Sequence, residues 1–100
     1  MKRLPLSDQD LRRFCERHGI RRLSLFGSTL KGTAREDSDI DLLVEFQPDA
    51  RPTLLTLAAM EDELSGLLGG RRVDLRTPAE LSRYFRQDVL REAEVQYVAG

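Results

Sequence analysis

The segment Asp39-Ile40-Asp41-Leu42-Leu43-Val44-Glu45-Phe46 constrains the fold more than any other part of this 100-residue chain. If it forms a strand, its even-numbered residues, which are all apolar, line one face. The carboxylates of Asp39 and Asp41 then lie together on the opposite face. Two neighbouring carboxylates repel each other unless a cation lies between them, and Mg²⁺ is commonly held by one or two carboxylates together with substrate phosphates. The segment therefore predicts a strand with a core on one side and a Mg²⁺ site on the other.

A second feature precedes this strand, where an apolar run ends in Gly27-Ser28. Glycine allows a sharp turn and close approach of the backbone to a ligand, and Ser28 is a good helix N-cap. The amides at a helix N-terminus bind anions such as phosphate. Arg35, in the polar loop that follows, could reach such a phosphate or face solvent. A phosphate-binding turn opposite metal-binding carboxylates indicates a nucleotide site for phosphoryl or nucleotidyl transfer.

Two other motifs fit the same residues less well. A calcium-binding loop that starts at Asp37 needs glycine at its sixth position and glutamate at its twelfth, where this chain has Leu42 and Pro48. A P-loop over residues 27–32 needs lysine and then serine or threonine, where this chain has Thr33-Ala34. The simplest alternative is an ordinary turn followed by the polar start of a strand, because such residues are common in turns.

Leu-Phe-Gly-Ser-Thr at 25–29 and Ser-Asp-Ile-Asp-Leu-Leu-Val-Glu-Phe at 38–46 resemble the signature of the nucleotidyltransferase superfamily that includes DNA polymerase β. They are most similar to its small stand-alone branch, the minimal nucleotidyltransferases (MNT). A later carboxylate on a short strand, Asp74 in Arg72-Val73-Asp74-Leu75, extends the resemblance over nearly the whole chain. The family often has a basic or aromatic residue and then alanine after Gly-Ser, whereas this chain has Thr29-Leu30. That departure leaves the nucleotide preference open.

The resemblance implies an enzyme that transfers AMP from ATP to a hydroxyl group. It implies three catalytic and metal-binding carboxylates, Asp39, Asp41 and Asp74, which would hold two Mg²⁺ ions. Asp74 could also act as general base toward the acceptor hydroxyl. The amides of Gly27 and Ser28 would hold the β- and γ-phosphates.

Minimal nucleotidyltransferases commonly act beside a separate helical HEPN protein, a ribonuclease toxin. The resemblance therefore implies an antitoxin that adenylylates a tyrosine of a HEPN partner in a hetero-oligomer. Two alternatives stay open: an antitoxin that neutralises a toxin by binding alone, and a small-molecule nucleotidyltransferase of the aminoglycoside-modifying type.

Composition sets broad limits on these readings. The length predicts one domain over residues 1–100 with a modest core. No apolar run approaches a membrane span and the N-terminus lacks a signal-peptide segment, so we expect a cytoplasmic protein. The net charge of −1 gives no argument for nucleic-acid binding. Residues 1–35 hold nine basic and three acidic side chains, whereas residues 36–70 hold one and nine.

Hydrophobic spacing predicts an α+β fold in which helices back one face of a small mixed sheet and the carboxylates lie on the other. The resemblance implies that this fold is of the polymerase β-like type. The predicted order is a helix over 8–18, a strand over 21–26, a short helix over 28–31, the strand over 39–46, a helix from 54 to 67 or 68, a strand over 71–76 and a helical C-terminal part starting at Thr77. The second long helix has an apolar stripe that we expect in the core, consisting of Leu54, Leu57, Met60, Leu64 and Leu67 or Leu68. The last helix has an apolar face made by Phe85, Val89, Leu90 and Ala93. Glu61-Asp62-Glu63 is expected to be solvated.

Overall fold

A computed structural model describes residues 4–26, 40–81 and 83–99. The elements in chain order are α1 (Asp8–Arg17), β1 (Ile20–Leu25), β2 (Ile40–Phe46), α2 (Leu54–Leu67), β3 (Val73–Arg76), one 3₁₀ turn (Pro78–Glu80), α3 (Arg83–Glu92) and β4 (Glu94–Val98). The short helix and polar loop predicted over 28–38 lie outside the described residues.

The four strands form one mixed sheet in the order β3-β2-β1-β4. β1 is antiparallel to both β2 and β4, whereas β2 and β3 are parallel. Parallel neighbours need a crossover, and α2 supplies it between β2 and β3. The predicted α+β class, with a small mixed sheet and helices, is confirmed.

One face of the sheet carries the hydrophobic core, as the alternation in β2 predicts. Ile40, Leu42 and Val44 are each at most 1% exposed and belong to the same buried cluster. The rest of that cluster comes from α1, β1, β3 and α2 with the residue that follows it. It includes Leu11, Phe14, Cys15, Leu23, Leu25, Met60, Leu64, Leu68, Val73 and Leu75. Burial of a large aliphatic side chain contributes about 1.5–3 kcal/mol, so this face supplies most of the stability. None of the helices in the described ranges is long and apolar enough to cross a bilayer.

The ends of the two long helices follow local sequence signals. The Ser7 hydroxyl accepts a hydrogen bond from the amide of Asp10 at the start of α1, and Thr53 does the same for Thr56 at the start of α2. After α1, Gly19 has a φ of 67°, a left-handed conformation that favours glycine. Gly69 has a φ of 73° after α2. These positions end the helices where the sequence predicts.

The apolar stripe of α2 is only partly in the core, which corrects the prediction. Met60, Leu64 and Leu68 are buried as predicted, but Leu54 is 83% exposed. Leu55, next to Leu54, is also 84% exposed, so the first turn of α2 lies outside the core. The remainder of α2 packs on β3.

The C-terminal part differs from the predicted helical region. Thr77-Pro78 starts a single 3₁₀ turn, and α3 begins at Arg83. Leu90 is exposed rather than in a core, and the side chain of Phe85 lies outside the described part. The chain ends in β4, a strand that the spacing did not predict. Five residues directly after a helix give too short a pattern, and β4 is specified by its pairing with β1.

Candidate active site on the carboxylate face

Asp41 and Asp74 are register partners on the parallel strands β2 and β3. Register partners on neighbouring strands are about 4.8 Å apart and project from the same face of a sheet. Asp41 lies on the face opposite Ile40 and Leu42, which point into the core. The structure therefore brings two of the three predicted carboxylates together on the face away from the core.

Backbone contacts at both edges of β3 fix this register. The amide of Ile40 donates to the carbonyl of Arg72 at 2.8 Å, which joins the start of β2 to β3. On the other edge of β3, the amide of Leu75 donates to Glu61 Oε2 at 2.8 Å. Glu61 was expected to be solvated, and instead it binds the strand that carries Asp74. A carboxylate on a helix beside an edge strand can accept a hydrogen bond from an amide of that strand, and this is the sequence feature that could have indicated the contact.

Arg76 is a site residue that the sequence reasoning missed. One of its guanidinium nitrogens lies 3.2 Å from Asp74 Oδ2 and another lies 3.7 Å from Glu80 Oε2. Residues two apart on a strand share a face, so the spacing of Arg76 from Asp74 would have indicated this contact. Asp74 is 33% exposed and Arg76 is 49% exposed, so water reaches both side chains.

The same face of β2 carries a third carboxylate in different surroundings. Glu45 Oε1 lies 3.3 Å from an Arg21 nitrogen, and its Oε2 lies 3.2 Å from Arg22 Nε. The second contact is an ion pair without hydrogen-bond geometry, since Oε2 accepts no hydrogen bond. The register shifts between Ile20 and Arg22, and this irregularity lets two consecutive arginines approach one carboxylate.

Leu43 separates these two carboxylate positions. It is 1% exposed although it lies on the face opposite the core. Its register partners are the buried Ser24 on β1 and Arg76 on β3. The carboxylate face is therefore closed in its middle, and Asp41 and Glu45 occupy distinct environments on either side of Leu43.

The remaining predicted site residues, Asp39, Gly27, Ser28 and Arg35, lie outside the described residues. Their described neighbours in sequence are close to Asp41. The amide of Phe26, which precedes Gly27, donates to the carbonyl of Asp41 at 3.2 Å. Within residues 4–26, 40–81 and 83–99, no group of three or more metal-ligating side chains is assembled. Asp41 and Asp74 alone would leave the predicted metal set one carboxylate short, at the position of Asp39.

Cys15 lies on α1, where the thiol is completely buried, and His18 is the residue that caps the C-terminal end of α1. Burial, together with the charge of Glu16, raises the pKa of Cys15 to about 12. The thiol is therefore protonated at neutral pH and unsuited to nucleophilic chemistry. His18 Nε2 lies 3.0 Å from Glu63 Oε1, and Glu63 also pairs with Arg17. These contacts make Glu63 a structural residue, which corrects its assignment to solvated surface.

Comparison with known proteins identifies the family. A family model described as a nucleotidyltransferase domain matches residues 8–96. The protein adenylyltransferase MntA of Thermococcus cleftensis is 44% identical over 77 residues, which are 77% of this chain and 75% of that protein. The chain belongs to the nucleotidyltransferase family. Its membership makes it a transferase enzyme.

Solved structures agree with this assignment. A minimal nucleotidyltransferase is 46% identical, covers 85% of this chain and 84% of its own, and superimposes with a TM-score of 0.70. A toxin-antitoxin crystallised with AMP-PNP gives a TM-score of 0.74 over 94% of this chain and 75% of that one, at 21% identity. The second likeness shows the fold alone. The nucleotidyltransferase fold thus extends over nearly all of the chain.

The donor set at the site suits a divalent cation. Carboxylate oxygens are hard ligands, and Mg²⁺ is usually held by one or two carboxylates together with substrate phosphates. Two aspartates in register on one face also repel each other, and a divalent cation between them would remove that repulsion. Asp41 and Asp74 therefore fit a Mg²⁺ site in chemistry and placement.

Proposed function

We propose that this nucleotidyltransferase is Mg²⁺-dependent and transfers AMP from ATP to a hydroxyl group of a partner protein. The observation that carries the proposal is the register pairing of Asp41 with Asp74 on the face away from the core. Arg76 pairs with Asp74, but two carboxylates in register also offer adjacent oxygen ligands to a divalent cation, which favours a catalytic role. The name of the archaeal relative, a protein adenylyltransferase, supports a protein acceptor.

Each predicted residue has a role in this proposal. Asp39, Asp41 and Asp74 would ligate two Mg²⁺ ions, which when bound lower the pKa of the acceptor hydroxyl and stabilise the charge on the leaving pyrophosphate. Asp74 would accept the hydroxyl proton on its carboxylate as the oxygen bonds to the α-phosphorus and the bond to pyrophosphate breaks. Gly27 and Ser28 would orient the β- and γ-phosphates. The contact of Phe26 with Asp41 supports that placement.

Arg35 is assigned by charge alone, because it lies in the polar sequence between the phosphate turn and β2. A guanidinium forms bidentate hydrogen bonds with phosphate oxygens. We assign Arg35 to the triphosphate.

The buried cluster that joins α1 and α2 to the sheet supports a single nucleotidyltransferase domain over residues 1–100.

The acceptor in this proposal is a tyrosine of a HEPN ribonuclease toxin, which makes the chain a cytoplasmic antitoxin. The fold likeness to a toxin-antitoxin crystallised with AMP-PNP supports the pairing of a partner protein with an adenine nucleotide. Attachment of AMP adds a bulky anion at the modified hydroxyl. Such a group beside a ribonuclease site would repel RNA phosphates and so silence the toxin.

Transfer of label from α-labelled ATP to a HEPN ribonuclease toxin tests the proposal. We expect Mg²⁺-dependent labelling by the wild type, loss of labelling with Asp41→Asn or Asp74→Asn, and mapping of the label to tyrosine. Glu45→Gln is the matched control, because it removes a carboxylate charge from the same face of β2 and should keep the activity.

Two other outcomes would overturn the proposal. Toxin neutralisation that survives Asp41→Asn, without any labelling, would show an antitoxin that acts by binding. Labelling of a small hydroxyl compound such as an aminoglycoside, with none on the protein partner, would show a small-molecule enzyme.

A further inference from the structure

We propose that Arg76 is a positioning residue that competes with the divalent cation for the carboxylate of Asp74 and so sets the cation affinity of the site. This inference rests on the proposed metal site of the preceding section. It assigns a new role to a residue that lies outside the predicted ligand set.

The contacts of Arg76 place its guanidinium between two carboxylates. It lies 3.2 Å from Asp74 Oδ2 and 3.7 Å from Glu80 Oε2. Glu80 is itself held, because the hydroxyl of Thr77 donates to its Oε1 at 3.2 Å. Arg76 is also the register partner of the buried Leu43, so its backbone is fixed by the sheet. The guanidinium thus has two anionic anchors within reach of one fixed backbone position.

One of these anchors is the carboxylate that a cation needs. A hydrogen bond from Arg76 to Asp74 Oδ2 uses an oxygen that could otherwise ligate Mg²⁺. The guanidinium also puts a full positive charge beside the site, and it stays charged at every physiological pH. Cation binding must therefore replace the contact between Arg76 and Asp74.

Glu80 is the other anchor, and it gives the guanidinium a place to remain when Asp74 turns to the cation. Loss of Arg76 should make cation binding tighter. Loss of the Glu80 charge should weaken cation binding, because Asp74 would then be the remaining one of the two carboxylates that hold Arg76. Two variants with opposite effects distinguish a competing contact from general damage to the fold.

Binding of Mn²⁺, measured by electron paramagnetic resonance without nucleotide, tests the proposal directly. We expect Arg76→Gln to tighten Mn²⁺ binding about two- to fivefold, which is the range that one half-exposed ion pair allows. Glu80→Gln should weaken it by a similar factor. In the double variant the effect of Glu80→Gln should disappear, because the residue acts through Arg76.

Two controls accompany these variants. Arg76→Lys keeps the positive charge and should stay within about twofold of the wild type, since an exposed lysine pair has a similar small strength. Arg91→Gln removes an equal charge from an exposed ion pair with Asp88, just before β4 at the other edge of the sheet from β3, and should leave binding unchanged. Thermal unfolding of each variant checks the fold.

Unchanged or weaker Mn²⁺ binding in Arg76→Gln would overturn this inference. An equal gain in Arg91→Gln would also overturn it, because net charge would then explain the effect. Failure of the proposed function gives a different result, which is Mn²⁺ binding that persists at wild-type affinity in Asp41→Asn.

Discussion

The two ends of the carboxylate face of β2 carry the same functional group in opposite surroundings. At one end, Asp41 is in register with a second aspartate, Asp74, on β3. At the other end, Glu45 is paired with Arg21 and Arg22 on β1. Both carboxylates lie on one strand, point to the same side and are partly buried. A carboxylate opposite a second carboxylate is a candidate metal ligand, whereas a carboxylate opposite arginines forms a structural ion pair.

This difference shows how one strand serves stability and function together. The Glu45 end satisfies its charge within the fold and joins β2 to β1. The Asp41 end brings two carboxylates together beside Arg76, which favours binding of a divalent cation. Leu43, buried between them, keeps the two environments apart. Substitutions at the two ends should therefore affect different properties of the protein.

The largest expected effect is on catalysis. Asp41→Asn should reduce AMP transfer by about 100-fold or more, because a metal ligand contributes several kcal/mol of transition-state stabilisation. Glu45→Gln should retain transfer within about threefold, since its carboxylate is neutralised inside the fold. Initial rates with saturating ATP and Mg²⁺ measure both. Equal losses in the two variants would remove the distinction between the ends.

The next effect is on cation-linked stability. At a Mg²⁺ concentration ten times its dissociation constant, the wild type should gain about 1.4 kcal/mol of unfolding free energy. Asp74→Asn should show little of this gain, whereas Glu45→Gln should show all of it. Urea unfolding with and without Mg²⁺ gives these differences. A full Mg²⁺ gain in Asp74→Asn would place the cation elsewhere.

Without Mg²⁺, Glu45→Gln should destabilise the protein more than Asp41→Asn does. Glu45→Gln should lower the unfolding free energy by about 1 kcal/mol, because its two arginines are half exposed and solvent screens their charges. Asp41→Asn should lower the unfolding free energy by less than Glu45→Gln does, since it also removes the repulsion between Asp41 and Asp74. Urea titration in the presence of a chelator tests this. Destabilisation by Asp41→Asn beyond that of Glu45→Gln would contradict it.

The smallest effect concerns Glu63, which contacts the side chains of Arg17 and His18. Burial, and then the charge of Arg17, lowers the pKa of His18 below its ordinary value of 6.5. As the pH falls through 6.5, the unfolded state takes up the imidazole proton before the folded state does, so stability decreases. Glu63 with Arg17 and His18 should therefore affect stability rather than catalysis, like the Glu45 end.

Substitution His18→Gln should flatten this part of the stability profile. Urea midpoints between pH 7 and pH 5 in both proteins would show it. An identical slope in the variant would assign the pH dependence to other groups.

The sequence predicted the parts of this comparison that depend on local patterns. Alternation in β2 correctly indicated which residues face the core, and hydrophobic spacing predicted the first two helices close to their observed bounds. Alternation also put Asp41 on the face away from the core. The meeting of Asp41 with Asp74 followed from the family resemblance together with the two-residue period, because spacing alone does not say which strands pair.

The features that the sequence did not reveal depend on pairing between distant segments. β4 exists through its hydrogen bonds to β1. The contact of Glu61 with Leu75, fourteen residues apart, depends on how α2 is placed beside β3. Such contacts are set by tertiary packing, which short sequence windows do not contain.

The most direct test of the account is the position of the cation. Crystals of the protein soaked with Mn²⁺ and a non-hydrolysable ATP analogue would locate it by anomalous scattering. The account predicts a peak within about 2.5 Å of carboxylate oxygens of both Asp41 and Asp74, at typical metal–oxygen distances, and none beside Glu45. A peak at Glu45, or a well-bound nucleotide with no metal at Asp41, would contradict it.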